Sequence, residues 1–199
     1  MPVFPNRTFT MSRLLVKHRI IVGESMSEKI VLGGGCFWCV EGAFKGLYGV
    51  SEVLPAYAGG NTENPTYEQV CSGRTGHAEV IQVSFDSEII PLRILLEVFF
   101  TVHDPTQLNR QGNDIGTQYR SCILFSNQKQ KSDAEAVIAY LQQNFVNDIV
   151  TEVSKLTTLY IAENYHHDYF ENNPTNPYCQ AVVSPKIAKV RAKHASLYE

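Results

Sequence analysis

The chain has 199 residues, a formal net charge of −3 and 44% hydrophobic residues. This is the length of one domain with a short appendage, and enough apolar material for a sizeable core. The charge balance gives no basic surface for nucleic acid or an anionic membrane, and no apolar run approaches the ~20 residues of a membrane helix, so the chain reads as a soluble globular protein.

Residues 1 to about 25 carry Arg7, Arg13, Lys17, His18 and Arg19, with no acid before Glu24. A basic, acid-poor start fits a targeting segment. Met26-Ser27-Glu28-Lys29 would itself make a natural beginning, so residues 1–25 are expected to be a disordered extension or an upstream start. The folded domain is assigned to 26–199. A strand is predicted at Lys29–Leu32, then a glycine turn, then an amphipathic helix from Cys36 to Tyr48. Val50 to Tyr57 reads as a strand, and Thr66 to Cys71 as a helical turn. His77 to Phe85 alternates, with Ile81, Val83 and Phe85 on one face and Val80, Gln82 and Ser84 on the other. Pro91 to Val102 reads as a helix burying Leu92, Leu95, Leu96 and Phe99, with proline in its first turn. Asp104 to Gly116 is a long polar loop and Tyr119 to Phe125 a strand. Asn127 to Phe145 is a helix capped by Ser126 or Asn127. Ile149 to Val153 is a strand, and Ile161 to Phe170 an aromatic helix. Beyond Asn172 the periodicity is lost. The alternation of strands and helices predicts an α+β fold: a mixed sheet flanked by helices, with long loops and an irregular C-terminal segment. Loops of this length usually carry function or disorder.

The segment Gly33-Gly34-Gly35-Cys36-Phe37-Trp38-Cys39 concentrates reactive chemistry. A cysteine in the first turn of a helix meets unpaired N–H groups and the positive end of the dipole. The thiol pKa is then expected to fall, which raises the thiolate fraction. Phe37 and Trp38 beside the sulfur suggest a small apolar substrate group. The five cysteines, Cys36, Cys39, Cys71, Cys122 and Cys179, are odd in number and unevenly spaced. That is a poor disulfide framework and points to a reducing, cytoplasmic setting.

Cys36-x-x-Cys39 has the spacing of a redox pair, which leaves open a thioredoxin-like dithiol exchanger. Helix geometry strains a direct bridge between them, yet thioredoxin-like sites achieve it. Zinc wants about four ligands, and the histidines have no ligand spacing, so no metal is expected. Glu79 opens a strand. It is either a solvated edge charge or a buried carboxyl whose raised pKa suits it to donate a proton. Gln111 to Arg120 is a turn or a hydrogen-bonding rim.

Five blocks taken in order resemble the peptide methionine sulfoxide reductase A family: Gly35-Cys36-Phe37-Trp38; Asn64-Pro65-Thr66-Tyr67; Cys71-Ser72-Gly73 with Thr75 to Glu79; His103-Asp104-Pro105; and Gly112-Asn113-Asp114 through Arg120. The resemblance runs from about Lys29 to Cys179. It implies a ferredoxin-like two-layer core and reduction of the S epimer of methionine sulfoxide, free or in proteins, in protein repair. By resemblance, Cys36 attacks the sulfoxide sulfur and becomes a sulfenic acid, Phe37 and Trp38 receive the methyl group, and Glu79 protonates the oxygen. Tyr67 and Tyr119 donate to that oxygen and Asp114 supports them. Cys179 resolves the sulfenic acid from a mobile segment, with Cys39 as the other candidate, and thioredoxin recycles the disulfide. No bound cofactor is implied, and a monomer is expected. Cys39 departs from many members. A further tail cysteine found in some members has no counterpart here. Cys71 and Cys122 are expected to be structural.

Overall fold

The computed structural model describes residues 27–198; the expectations for 1–25 lie outside them. Six strands form one sheet in the order β7-β6-β1-β3-β2-β8. They are β1 (Ser27–Gly33), β2 (Val50–Ala58), β3 (Ala78–Asp86), β6 (Cys122–Phe125), β7 (Glu152–Lys155) and β8 (Leu159–Ile161). The four central strands, β6-β1-β3-β2, are antiparallel throughout. With α1 (Phe37–Phe44) following β1 and α3 (Leu92–Val102) following β3, they form the split βαβ arrangement of a ferredoxin-like core. The parallel partner β7 makes the sheet mixed.

The predicted alternation in β3 divides two cores. Ile81, Val83 and Phe85 join the large cluster against the helices, while Ala78 and Val80 join a small cluster on the opposite face. Glu79 shares the register of the first set, and thus faces α1. The predicted helix α3 buries Leu92, Leu95, Leu96 and Phe99, and adds Val98, Phe100 and Val102. Helix α4 (Gln128–Gln142) is capped by Asn127, whose side chain accepts from Gln130 N–H at 2.9 Å.

Several boundaries differ from expectation. Helix α1 ends at Phe44 rather than Tyr48, because Lys45 is extended and Gly46 takes φ 79°. The loop 104–116 holds a small hairpin, β4 (Arg110–Gln111) with β5 (Asp114–Ile115). The strand expected at 149–153 lies at 152–155. The aromatic helix expected at 161–170 does not form. Instead β8 ends at Ile161, a 3-10 turn spans Asn164–His166, and α5 is only Tyr169–Asn172. The break is at Asp168, left-handed at φ 55°, where the right-handed helix cannot continue. Residues 173–176 are irregular as expected, but helical backbone returns at Pro177 and Tyr178. A π-helical turn (Cys179–Val183) runs into α6 (Ser184–Lys193), packed on α1 and α3.

Candidate active site

Strand β1 delivers the chain to the glycine turn from the middle of the sheet. A Cβ on Gly34 would stand 2.9 Å from the Phe99 ring and 3.0 Å from His103, so only glycine lets β1 reach α3 this closely. Gly35 turns the chain at φ 86°, a conformation costly for other residues.

Cys36 is the N-cap of α1, with φ −58° and ψ 125°. Extended backbone at an N-cap swings the side chain back over the first turn, toward N2 and N3. Cys39 stands at N3, its N–H bonded to Cys36 O at 3.1 Å, and the two thiols are within hydrogen-bonding reach. The expected strain against a Cys36–Cys39 bridge applies to two cysteines inside a helix. It is relieved when the first is the cap.

The expected acidic thiol is corrected. Cys36 is 5% exposed. Burial, the Cys39 contact and the negative charges of Cys39 and Glu79 hold its pKa well above the ordinary value; the Trp38 amide opposes them and is outweighed. Cys39 moves the other way. Its bond with Cys36 and the nearby Lys186 ammonium lower its pKa despite burial. Within the pair, Cys39 is the more acidic thiol and Cys36 the less acidic.

Glu79 is 1% exposed, which removes the solvated-edge reading. Burial pushes its pKa up to about 8, although the Phe37 N–H donates to Oε2 at 3.1 Å. At neutral pH it is mainly a neutral acid held against the first turn of α1. Tyr67, which opens α2 (Tyr67–Cys71), and Tyr119, at the end of a 3-10 turn, lie within electrostatic reach of Glu79. Burial first, then that carboxyl, raises both hydroxyl pKa values, so both stay protonated donors. The capping box of Thr66 and Gln69 fixes the start of α2. Phe37 is buried, with its ring 6.3 Å from Tyr67 and 6.0 Å from Trp38. Asp114 accepts from Tyr178 Oη at 2.7 Å.

Some site residues escaped sequence reasoning. Trp38 lies flat on Tyr169, with ring centroids 3.7 Å apart, and donates from Nε1 to His166 Nδ1 at 3.2 Å. Glu163 accepts from Tyr57 Oη at 2.8 Å and from Tyr67 N–H at 2.9 Å. It thereby ties β2, α2 and the 3-10 turn together. Tyr178 reaches the edge of Trp38 and lies within electrostatic reach of both thiols. The Glu163-x-x-His166 spacing and the tyrosine directly before Cys179 were the available signals. Cys179 is fully buried, with Cys39 as its neighbouring thiol. Cys122 is buried in the small core cluster, and Cys71 is half-buried beside the Tyr67 hydroxyl. Among the described residues, no three His, Cys, Asp or Glu side chains converge as metal ligands.

A buried thiol at a helix cap, a neutral carboxylic acid and two phenols in its electrostatic reach, beside the rings of Phe37 and Trp38, are the groups that a thiol-based reductase of a small polar oxide needs. The peptide methionine sulfoxide reductase family model matches residues 28–198. The chain is 55% identical over 172 residues to peptide methionine sulfoxide reductase MsrA of Natronomonas pharaonis, covering 85% of this chain and 97% of that protein. It is 56% identical over 168 residues to MsrA of Trichodesmium erythraeum, covering 83% and 95%. Among solved structures, methionine sulfoxide reductase A of Corynebacterium diphtheriae matches with a TM-score of 0.73 at 35% identity, over 76% of this chain and 77% of that one. Mxr1 of Saccharomyces cerevisiae in reduced form matches with a TM-score of 0.73 at 34% identity, over 77% and 89%. Mxr1 has also been solved in complex with Trx2. This chain belongs to the peptide methionine sulfoxide reductase family, and its reaction is the reduction of methionine sulfoxide.

Proposed function

We propose that residues 26–199 act as the catalytic domain. It reduces the S epimer of methionine sulfoxide, free or in proteins, with Cys36 as nucleophile and Glu79 as acid. The observation that carries this reading is the neutral, buried Glu79 beside the helix cap. Attack on sulfur drives charge onto the sulfoxide oxygen, and a preorganised donor set stabilises charge developing there. Glu79, Tyr67 and Tyr119 form that set. Phe37 and Trp38 enclose the methyl group, and the Asp114–Tyr178 pair supports the rim.

The protons balance without an external acid. As the Cys36 sulfur attacks, its proton passes to the thiolate form of Cys39, the more acidic thiol, and Glu79 gives its proton to the sulfoxide oxygen. The substrate S–O bond breaks as an S–O bond forms at Cys36. Methionine leaves, and Cys36 is oxidised to a sulfenic acid. The ionised Glu79 then accepts the Cys39 proton and passes it to the departing hydroxyl. Cys39 attacks Cys36, a disulfide forms and water leaves. Sulfenic acids condense with neighbouring thiols in this way.

Cys179 enters by exchange. Its thiolate attacks Cys39, which frees Cys36 and leaves a Cys39–Cys179 disulfide. Contact between Cys36 and Cys39 favours this order over direct attack by Cys179. Thioredoxin is the proposed reductant of the final disulfide, supported by the Mxr1 complex with Trx2, and a reducing cytoplasm is the proposed setting. A general dithiol exchanger is the other reading of Cys36-x-x-Cys39. The test is single turnover of pre-reduced enzyme with each epimer of N-acetyl methionine sulfoxide, alongside insulin reduction. Methionine from the S epimer alone supports the proposal. Insulin reduction without methionine formation favours the exchanger.

A further inference from the structure

Helix α6 places Lys186, Lys189 and Lys193 at intervals of three and four residues, which align on one helix face. Lys186 lines a cavity of about 610 Å³ whose opposite wall includes Asp114 and Tyr178, the rim of the active site. It also lines a second cavity, of about 540 Å³, together with Lys189 and Lys193. Gln111 is shared by both, so the two are adjoining parts of one groove that starts at the site and runs along α6. Lys189 and Lys193 are exposed, and none of the ion pairs among the described residues involves them. The acid in the second cavity, Asp104, is already held by the Thr106 N–H and hydroxyl and by the Gln107 amide. The groove therefore carries three lysines against two carboxylates, Asp104 and Asp114, with Lys186 beside the Cys39 thiol and Lys189 and Lys193 left without an ion-pair partner, on a chain whose net charge is −3.

We propose that this groove binds an acidic stretch flanking the oxidised methionine in protein substrates, which makes α6 a determinant of substrate choice. The inference rests on the methionine sulfoxide reductase reading of the site and names a class of its substrates. From Lys186 to Lys193 is about 10 Å along a helix, or roughly three residues of extended peptide. Asp or Glu within a few positions of the methionine can thus pair with the strip while the sulfoxide sits beside Cys36. Rim charges of this kind act mainly through electrostatic steering and specificity, and are screened by salt.

The experiment is single turnover of pre-reduced full-length enzyme at low and high salt. The substrates are N-acetyl methionine sulfoxide and three peptides whose flanks are acidic, neutral or basic, with the charges on either side in turn. The wild type is expected to prefer acidic over basic flanks by about tenfold at low salt, with the preference collapsing at high salt. Lys189→Glu with Lys193→Glu should abolish or invert the preference and leave N-acetyl methionine sulfoxide unchanged. Equal rates on all peptides, with the small substrate still reduced, would overturn the proposal. So would a charge reversal that slows only thioredoxin-coupled turnover, since the strip would then serve the reductant. Failure to reduce even N-acetyl methionine sulfoxide would instead strike the reading of the site itself.

Discussion

Two helices meet at the reactive sulfur, and they differ in almost every physical respect. Helix α1 is buried along nearly its whole length, down to Glu41 at 1% exposure. Helix α6 buries only Ile187 and Val190 and ends in basic residues. The first is held by the sheet beneath it and carries Cys36 at its buried N-cap. The second lies over it as a thin cover, bringing Cys179 behind Cys39 and lysines to the outside. On the proposed mechanism, bond making at the sulfoxide falls to the side of α1, and recycling and choice of protein substrate to the side of α6, which has little core to hold it.

Substitutions at the cap should have the largest effects. Cys36→Ser is expected to yield no methionine in a single turnover, with the fold intact by circular dichroism. Glu79→Gln comes next. It keeps a hydrogen-bond donor but has no proton to give, so kcat/KM should fall by about 10²- to 10⁴-fold. The wild-type rate should decline as pH rises through about 8, where Glu79 ionises, and this limb should be absent in the variant. Stability carries the same signature. The folded protein keeps a proton that the unfolded chain releases between pH 4.5 and about 8, so unfolding free energy decreases as pH rises through that window. Glu41, raised to about 7 by burial, adds a slope of the same sign. Denaturant midpoints across pH should therefore flatten only in part in Glu79→Gln.

Substitutions at the other two thiols of the relay, Cys39 on α1 and Cys179 just before α6, should act mainly on recycling. Cys179→Ser should release one methionine per enzyme and accumulate a Cys36–Cys39 disulfide. Cys39→Ser should also release one equivalent, more slowly, because the Cys36 proton has lost its acceptor. Disulfide mapping by mass after one turnover separates the relay from direct attack. A Cys36–Cys179 bond in the wild type, with no Cys39 bond, would remove Cys39 from the path.

The same contrast governs what could be read in the sequence. The α1 side was legible because core packing writes periodic patterns. The alternation of β3 marked Ile81, Val83 and Phe85 as one face but left Glu79 open between an edge charge and a buried acid, and strand, glycines and cysteine in succession announced a helix start. The acidity of Cys36 was misread because the helix terminus is a local effect, whereas burial depends on the whole fold, and here burial wins. Around Cys179 the signal was poor. Strand β8 is three residues long, too short for a period to show. One left-handed residue, Asp168, splits what looked like an aromatic helix into the pieces that bring His166 and Tyr169 to Trp38. Helix α6, with two buried residues in ten, leaves almost no stripe to detect.

The smallest predicted effect probes the seam between the two helices. A Cβ on Gly42 would lie 2.4 Å from Ile187 Cδ1. Overpacking at such a contact typically costs about 1–3 kcal/mol, while alanine in place of glycine within a helix regains about 1 kcal/mol. Gly42→Ala should thus destabilise by roughly 0–2 kcal/mol, the difference of those two terms. The methyl group presses on α6 from beneath while leaving the cap of α1 and Glu79 in place. The burst of methionine in a single turnover should be preserved, and thioredoxin-coupled turnover should change, because the Cys39–Cys179 geometry depends on how closely α6 seats. A variant that loses the burst as well would mean that the pocket depends on its cover, and that the two sides are one cooperative unit.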